Sequence, residues 1–241
     1  MAELLWRDVQ GQLLWALVAI AGAALLPGRG LAERLGLRRG RLGPLRLGAG
    51  LLGFLLLSNG LHRLIVAMAL LEGSTLGEID AVVREASGAA PLLVLLAIGL
   101  APALGEELLF RGFLQRWLSL RLSGPAAVLG AAALFGLAHL DAVQGPAAFL
   151  LGAYLGTLAW LGRSLLPAIL CHATNNTVAV LGVQGVIPEL GAPGDPLLAA
   201  AALAAAALLL RLALRGLQPA SPSADSWGGS HAEHPARPDR R

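Results

Sequence analysis

The chain has 241 residues, of which 56% are hydrophobic and 14% charged, with a mean hydropathy of +0.69. A soluble domain carries about 25% charged residues, so this composition excludes an ordinary soluble protein and implies a polytopic membrane protein. The formal charge is +3 and all 18 basic residues are arginines. They sit mostly beside apolar segments and in the tail, so they read as orientation signals against an anionic leaflet, with no nucleic-acid partner.

Apolar segments are expected at 9–26, 45–71, 90–104, 125–140, 146–162, 164–183 and 196–214. Most approach the ~20 residues that cross a hydrocarbon core. Val9 to Leu26 is long enough to stay as a span and lacks the n-region of a cleavable signal peptide. Residues 28–46 hold Arg29, Arg34, Arg38, Arg39, Arg41 and Arg46, so this loop should be cytoplasmic. Residues 72–88 carry Glu72, Glu78, Asp80 and Glu85 against Arg84 alone, as expected for the opposite side. Asn59, His62 and Arg63 in the second segment would line a path or make an interhelical contact.

The segment 103–122 is too polar to read easily as a span. Pro102 is expected to break the preceding helix, because proline removes a helix hydrogen bond. Ser123-Gly124-Pro125 marks a turn at the far end. If 103–122 and 125–140 form a hairpin about it, Glu107 and His139 each lie 16 residues from Ser123. Both are then about 24 Å from the turn, at one level. From Pro219 onward the chain is Ser, Pro, Gly and charge, and cannot bury a core; His231 and His234 belong to this tail.

Ionisable residues at bilayer depth cost roughly 2.5–3.5 kcal/mol on insertion scales, so each is a candidate for function. Glu106-Glu107-Leu108-Leu109-Phe110-Arg111 places three of them within six residues. Glu107 and Arg111 have the spacing of an intrahelical ion pair. Glu106 is then offset by about 100° and free to act as a general base, its proton affinity raised by desolvation. Phe135 and His139 share a second helix face, and His172 and Asn176 a third. An imidazole and a carboxamide so arranged could bind a metal or donate hydrogen bonds to an oxyanion. Cys171, the only cysteine, excludes an internal disulfide and a cysteine-cluster metal site, and reads as a small hydrophobe.

Glu-Glu-x-x-x-Arg, Phe-x-x-x-His and His-x-x-x-Asn, in this order on separate helices, resemble the CPBP family. That family comprises the CAAX-type prenyl endopeptidases and the bacterial Abi and bacteriocin-processing relatives. The resemblance covers about 100–180 and implies an all-α transmembrane bundle of about seven to eight membrane helices. It implies an intramembrane endopeptidase, in which Glu106 activates water and His139 and His172 are its partners. Asn176 takes an oxyanion or ligand role, and Glu107 with Arg111 forms the supporting pair. If the enzyme is a zinc metalloprotease, Glu106, His139 and His172 would be the ligands; a metal-free, glutamate-activated water fits as well. The implied partners are membrane lipids and a membrane-bound or lipid-modified peptide.

On this reading residues 1–89 are N-terminal membrane helices with a basic loop and 90–183 the catalytic membrane core. Residues 184–218 hold the C-terminal membrane helix and 219–241 a disordered tail. Seven spans put His139 at the external end of its helix. Counting 103–122 as an additional span puts Glu106 and His139 near the cytoplasmic face, the arrangement favoured by the resemblance. Rival functions are a proton-coupled transporter, which should show inverted repeats between 1–120 and 121–241, and a non-catalytic membrane scaffold. No such symmetry is visible, and the three motifs are intact.

Overall fold

The computed structural model describes residues 2–86, 90–188 and 192–217. The tail from 219, with His231 and His234, lies outside the described residues. Among those described, the protein is all-helical with no strand. The helices are α1 (Ala2–Gly22), the single turn α2 (Leu31–Arg34), α3 (Pro44–Ala67), α4 (Thr75–Arg84) and α5 (Pro91–Ser119). They continue with α6 (Gly124–Ala138), α7 (Gln144–Gly162), α8 (Leu166–Val183) and α9 (Pro196–Leu214). Among the described residues six are long and apolar enough to cross a membrane, namely α1, α3, α5, α7, α8 and α9; α6 is apolar but shorter. Leu17, Leu52, Leu137 and Leu208 are each more than half exposed, and such faces suit lipid rather than water. The protein is a multi-pass membrane protein.

Without a hydrophobic drive between helices in lipid, close packing comes from small residues. The most extensive helix pair, α3 with α9, uses them on both sides. Gly50, Gly53 and Gly60 face the row Ala199, Ala202, Ala206 and Ala213. A Cβ at Gly60 would stand 2.9 Å from Leu203. Tyr154 of α7 closes the same core by donating to Gly50 O at 2.9 Å.

Helix α5 corrects two expectations. Pro102 does not end a helix, and 103–122 is not a separate span: 91–119 runs as one helix. The turn before the proline is π-helical over Leu95–Leu100, with Ala101 N–H reaching back to Leu96 O. That widening makes room for the ring. Proline also withholds the N–H that α-helical geometry would aim at Ile98 O. The Asn176 side chain supplies a donor in its place, from Nδ2 to Ile98 O at 3.2 Å. The break is healed by a neighbouring helix, as membrane helices allow.

With one helix in place of two, the segments sort onto two faces. On one, Arg41 N–H donates to Gly162 O at 2.8 Å, Leu165 N–H to Gly36 O at 2.9 Å, and Arg116 Nη2 to Glu33 O at 3.0 Å. This is the arginine-rich face. On the other, Thr75 N–H and its hydroxyl both donate to Asp141 Oδ2 at 2.9 Å. Arg63 there links Asn59 Oδ1 at 2.9 Å to Ala192 O at 2.7 Å, so these two residues strap α3 to the loop before α9. His62 faces outward. His139 stands at the end of α6 away from the basic face. The additional span on which the cytoplasmic placement of the site rested does not form.

Candidate active site

The α-helical stretch Ala101–Glu107 of α5 ends in the two glutamates, and a π-helical stretch, Leu108–Leu114, follows at once and carries Arg111. Glu106, Glu107, Arg111 and His172 are all buried, Glu107 completely. A buried carboxylate is tolerated only when paired and hydrogen-bonded, and Glu107 meets that requirement twice through one oxygen. Its Oε1 accepts from Arg111 Nη1 at 2.6 Å and from His172 Nδ1 at 2.9 Å. The first distance is short, as charge-assisted bonds are.

Arg111 is held from a second side by an aromatic ring. Its guanidinium carbon lies 4.3 Å from the centroid of Phe135, a cation–π contact. The same ring touches both imidazoles, His139 at 4.8 Å and His172 at 6.3 Å between centroids, each edge-on. Phe135 is therefore the piece that joins the three motifs physically. Gly152 of α7 makes the space beneath it: a Cβ there would stand 2.8 Å from Arg111 Nη2 and 3.0 Å from Phe135. Phe110 and Trp15 continue the stack, at 5.0 Å and 5.4 Å between successive centroids.

Both imidazoles use Nδ1 on a fixed acceptor. His139 caps the end of α6, where Leu140 turns left-handed at φ 52°, and its Nδ1 lies 2.8 Å from Phe135 O. A carbonyl only accepts, so Nδ1 carries the hydrogen and Nε2 keeps its lone pair when the ring is neutral. His172, donating from Nδ1 to Glu107, is set the same way. Its Nε2 faces Glu106 Oε2 at 3.8 Å, too long for a direct hydrogen bond and suited to one bridged by water. Glu106 also lies within electrostatic reach of His139. Asn176 spends one N–H on Ile98 O and accepts from Asn175 at 3.4 Å, which leaves its second N–H for another acceptor.

Glu106, Glu107, Arg111, His139, His172 and Asn176 thus lie on three neighbouring helices, with Glu107 and His172 in direct contact. Among the described residues no group of three or more His, Cys, Asp or Glu side chains is arranged to hold a metal ion. No step below runs through a metal. Two polar residues that the motifs do not reveal also matter here. Gln12 of α1 donates from Nε2 to Glu106 Oε1 at 3.1 Å, and Gln115 bonds Gly156 O at 3.0 Å. A glutamine inside an apolar helix was the available signal for both.

Comparison with known proteins fits this geometry. Residues 88–178 match the Type II CAAX prenyl endopeptidase Rce1-like family. No curated protein and no solved structure matches the chain. The matched stretch holds all three motifs, from α5 to the middle of α8. Over residues 88–178 the chain therefore carries a domain of the Rce1-like type II CAAX prenyl endopeptidase family, a family of intramembrane proteases.

Proposed function

We propose that the protein hydrolyses peptide bonds of membrane-associated or lipid-modified proteins or peptides, with Glu106 as the base that activates water. The observation that carries this reading is the gap between Glu106 Oε2 and His172 Nε2, 3.8 Å wide and walled by side chains already fixed elsewhere. A water placed there gives its proton to the Glu106 carboxylate as its oxygen attacks the scissile carbonyl carbon. Glu106, now protonated, returns that proton to the leaving amine as the C–N bond breaks. The water's second hydrogen is accepted by His172 Nε2, which orients it, and His139 borders the same site through Phe135.

The second N–H of Asn176 supplies a donor for the oxyanion. Glu107 and Arg111 take no part in proton transfer. They hold His172 in one tautomer and one rotamer, and each neutralises the other in an apolar surrounding. A transporter reading finds no support in an observation of this kind.

The test is cleavage of a prenylated and a non-prenylated membrane-peptide reporter by the reconstituted protein, beside Glu106→Ala and with a metal chelator. We expect cleavage that disappears in Glu106→Ala and survives the chelator. Loss in the chelator, restored by zinc, would replace the metal-free scheme. Cleavage by Glu106→Ala would remove Glu106 from its role.

A further inference from the structure

Helix α1 lies outside the matched domain, yet it packs along α5 beside the glutamates. Its Gln12 meets Glu106 across 94 residues of sequence. The approach depends on Gly105. A Cβ there would stand 2.5 Å from the Gln12 backbone oxygen and 2.7 Å from Gln12 Oε1. Both residues are therefore needed for the contact, one for the donor and one for the room.

We propose that Gln12 is a positioning residue for Glu106, so that α1 completes an active site whose motifs all lie on other helices. This rests on the reading of Glu106 as the base. The bond from Nε2 to Oε1 fixes the rotation of the carboxylate, which leaves Oε2 turned to His172 Nε2 and to the water between them. A carboxylate without that bond has its two oxygens interchangeable and its attack geometry averaged, which lowers the rate without changing substrate contacts.

While Glu106 is ionised it can only accept, and Nε2 serves it. Once Glu106 carries the proton taken from water, that proton sits on Oε2, and Oε1 still accepts from Nε2. One side chain thereby accommodates both protonation states of the base.

The experiment compares the wild type with Gln12→Met, Gly105→Ala, Leu5→Ala and Glu106→Gln in the same reporter assay, with melting of each in detergent. Gln12→Met keeps the shape and removes the donor; Gly105→Ala keeps the donor and displaces it. Both should lose kcat about tenfold or more, as loss of a hydrogen bond to a charged group predicts, with KM within about twofold. Leu5→Ala, on the same helix but packed against Val83, Val94 and Val180, should melt earlier while its folded fraction keeps its kcat. Full kcat in Gln12→Met with none in Glu106→Gln would overturn the role of Gln12 and leave the base intact. Cleavage by Glu106→Gln would overturn the base reading itself. A Gln12→Met variant that merely melts early, as Leu5→Ala does, would reduce Gln12 to packing.

Discussion

Glu106 and Glu107 are neighbours in sequence and opposites in surroundings. Glu107 is fully buried and accepts from Arg111 and His172 at 2.6 and 2.9 Å. Glu106 retains a trace of exposure, has one neutral donor at 3.1 Å, and stands 3.8 Å from the nearest imidazole nitrogen. The helical offset between adjacent residues sends one carboxylate into a closed ion-pair network and the other to an open gap. A polar site in an apolar bundle needs both: a neutralised foundation that does not move, and a loosely held group that can exchange a proton. The energetic signature of the first should be stability and of the second rate.

Removing one half of the foundation should break the contrast most strongly. Glu107→Ala leaves the Arg111 charge buried without its carboxylate, and the loss of stability should be about 3–5 kcal/mol, read by thermal or denaturant unfolding in detergent. Glu107→Gln with Arg111→Met removes both charges and should recover part of that loss without recovering cleavage. Recovery of cleavage would show that the pair does not position His172. Gly152→Ala attacks the same foundation sterically. Its Cβ would press on Arg111 and Phe135, and should cost about 1–3 kcal/mol.

Asn176 sharpens the comparison, because it serves both fold and site. Asn176→Ala should cost about 1–3 kcal/mol by orphaning Ile98 O. In a Pro102→Ala background, where a helix N–H is restored to that carbonyl, the cost should shrink while the activity defect persists. Equal costs in the two backgrounds, measured as a double-mutant cycle, would show that the proline gap and Asn176 are independent.

Asp141 gives the smallest effect. N–H groups of Thr75, Gln144 and Val143 donate to it and hold its carboxyl below the usual carboxylate range. A group depressed in the folded state adds stability above its unfolded pKa and loses it as pH falls through the folded value. The tie is therefore intact at pH 7 and weakens below about pH 4, the unfolded carboxylate range. Asp141→Asn should flatten this acid-side dependence in unfolding measured against pH.

Helix class, membrane character and the polar stations were legible because each is local: composition, apolar length and i, i+4 spacing. Glu107 pairs with Arg111 as their spacing implies, and Glu107 and His172 meet across two helices. What was not legible depends on partners far away in sequence. Pro102 looks like a stop until Asn176, 74 residues on, is seen to occupy the carbonyl it leaves free. Phe135 looks like an apolar spacer until its ring is found against Arg111, His139 and His172. Gln12 and Gly152 act through the space between helices, which no periodicity in one segment encodes. The extra span failed for a related reason: polar residues in 103–122 suggested a boundary, whereas their partners on α1, α6 and α8 keep them inside one helix.

The most direct test of the central claim sets Glu106→Gln beside Glu107→Gln, both isosteric, and measures melting and reporter cleavage on each reconstituted protein. The account predicts a Glu106→Gln protein that melts like wild type, binds reporter and does not cleave it. It predicts a Glu107→Gln protein that melts well below wild type. Cleavage by Glu106→Gln within about twofold of wild type, far short of the ~10²–10⁴-fold that a general base contributes, would contradict it.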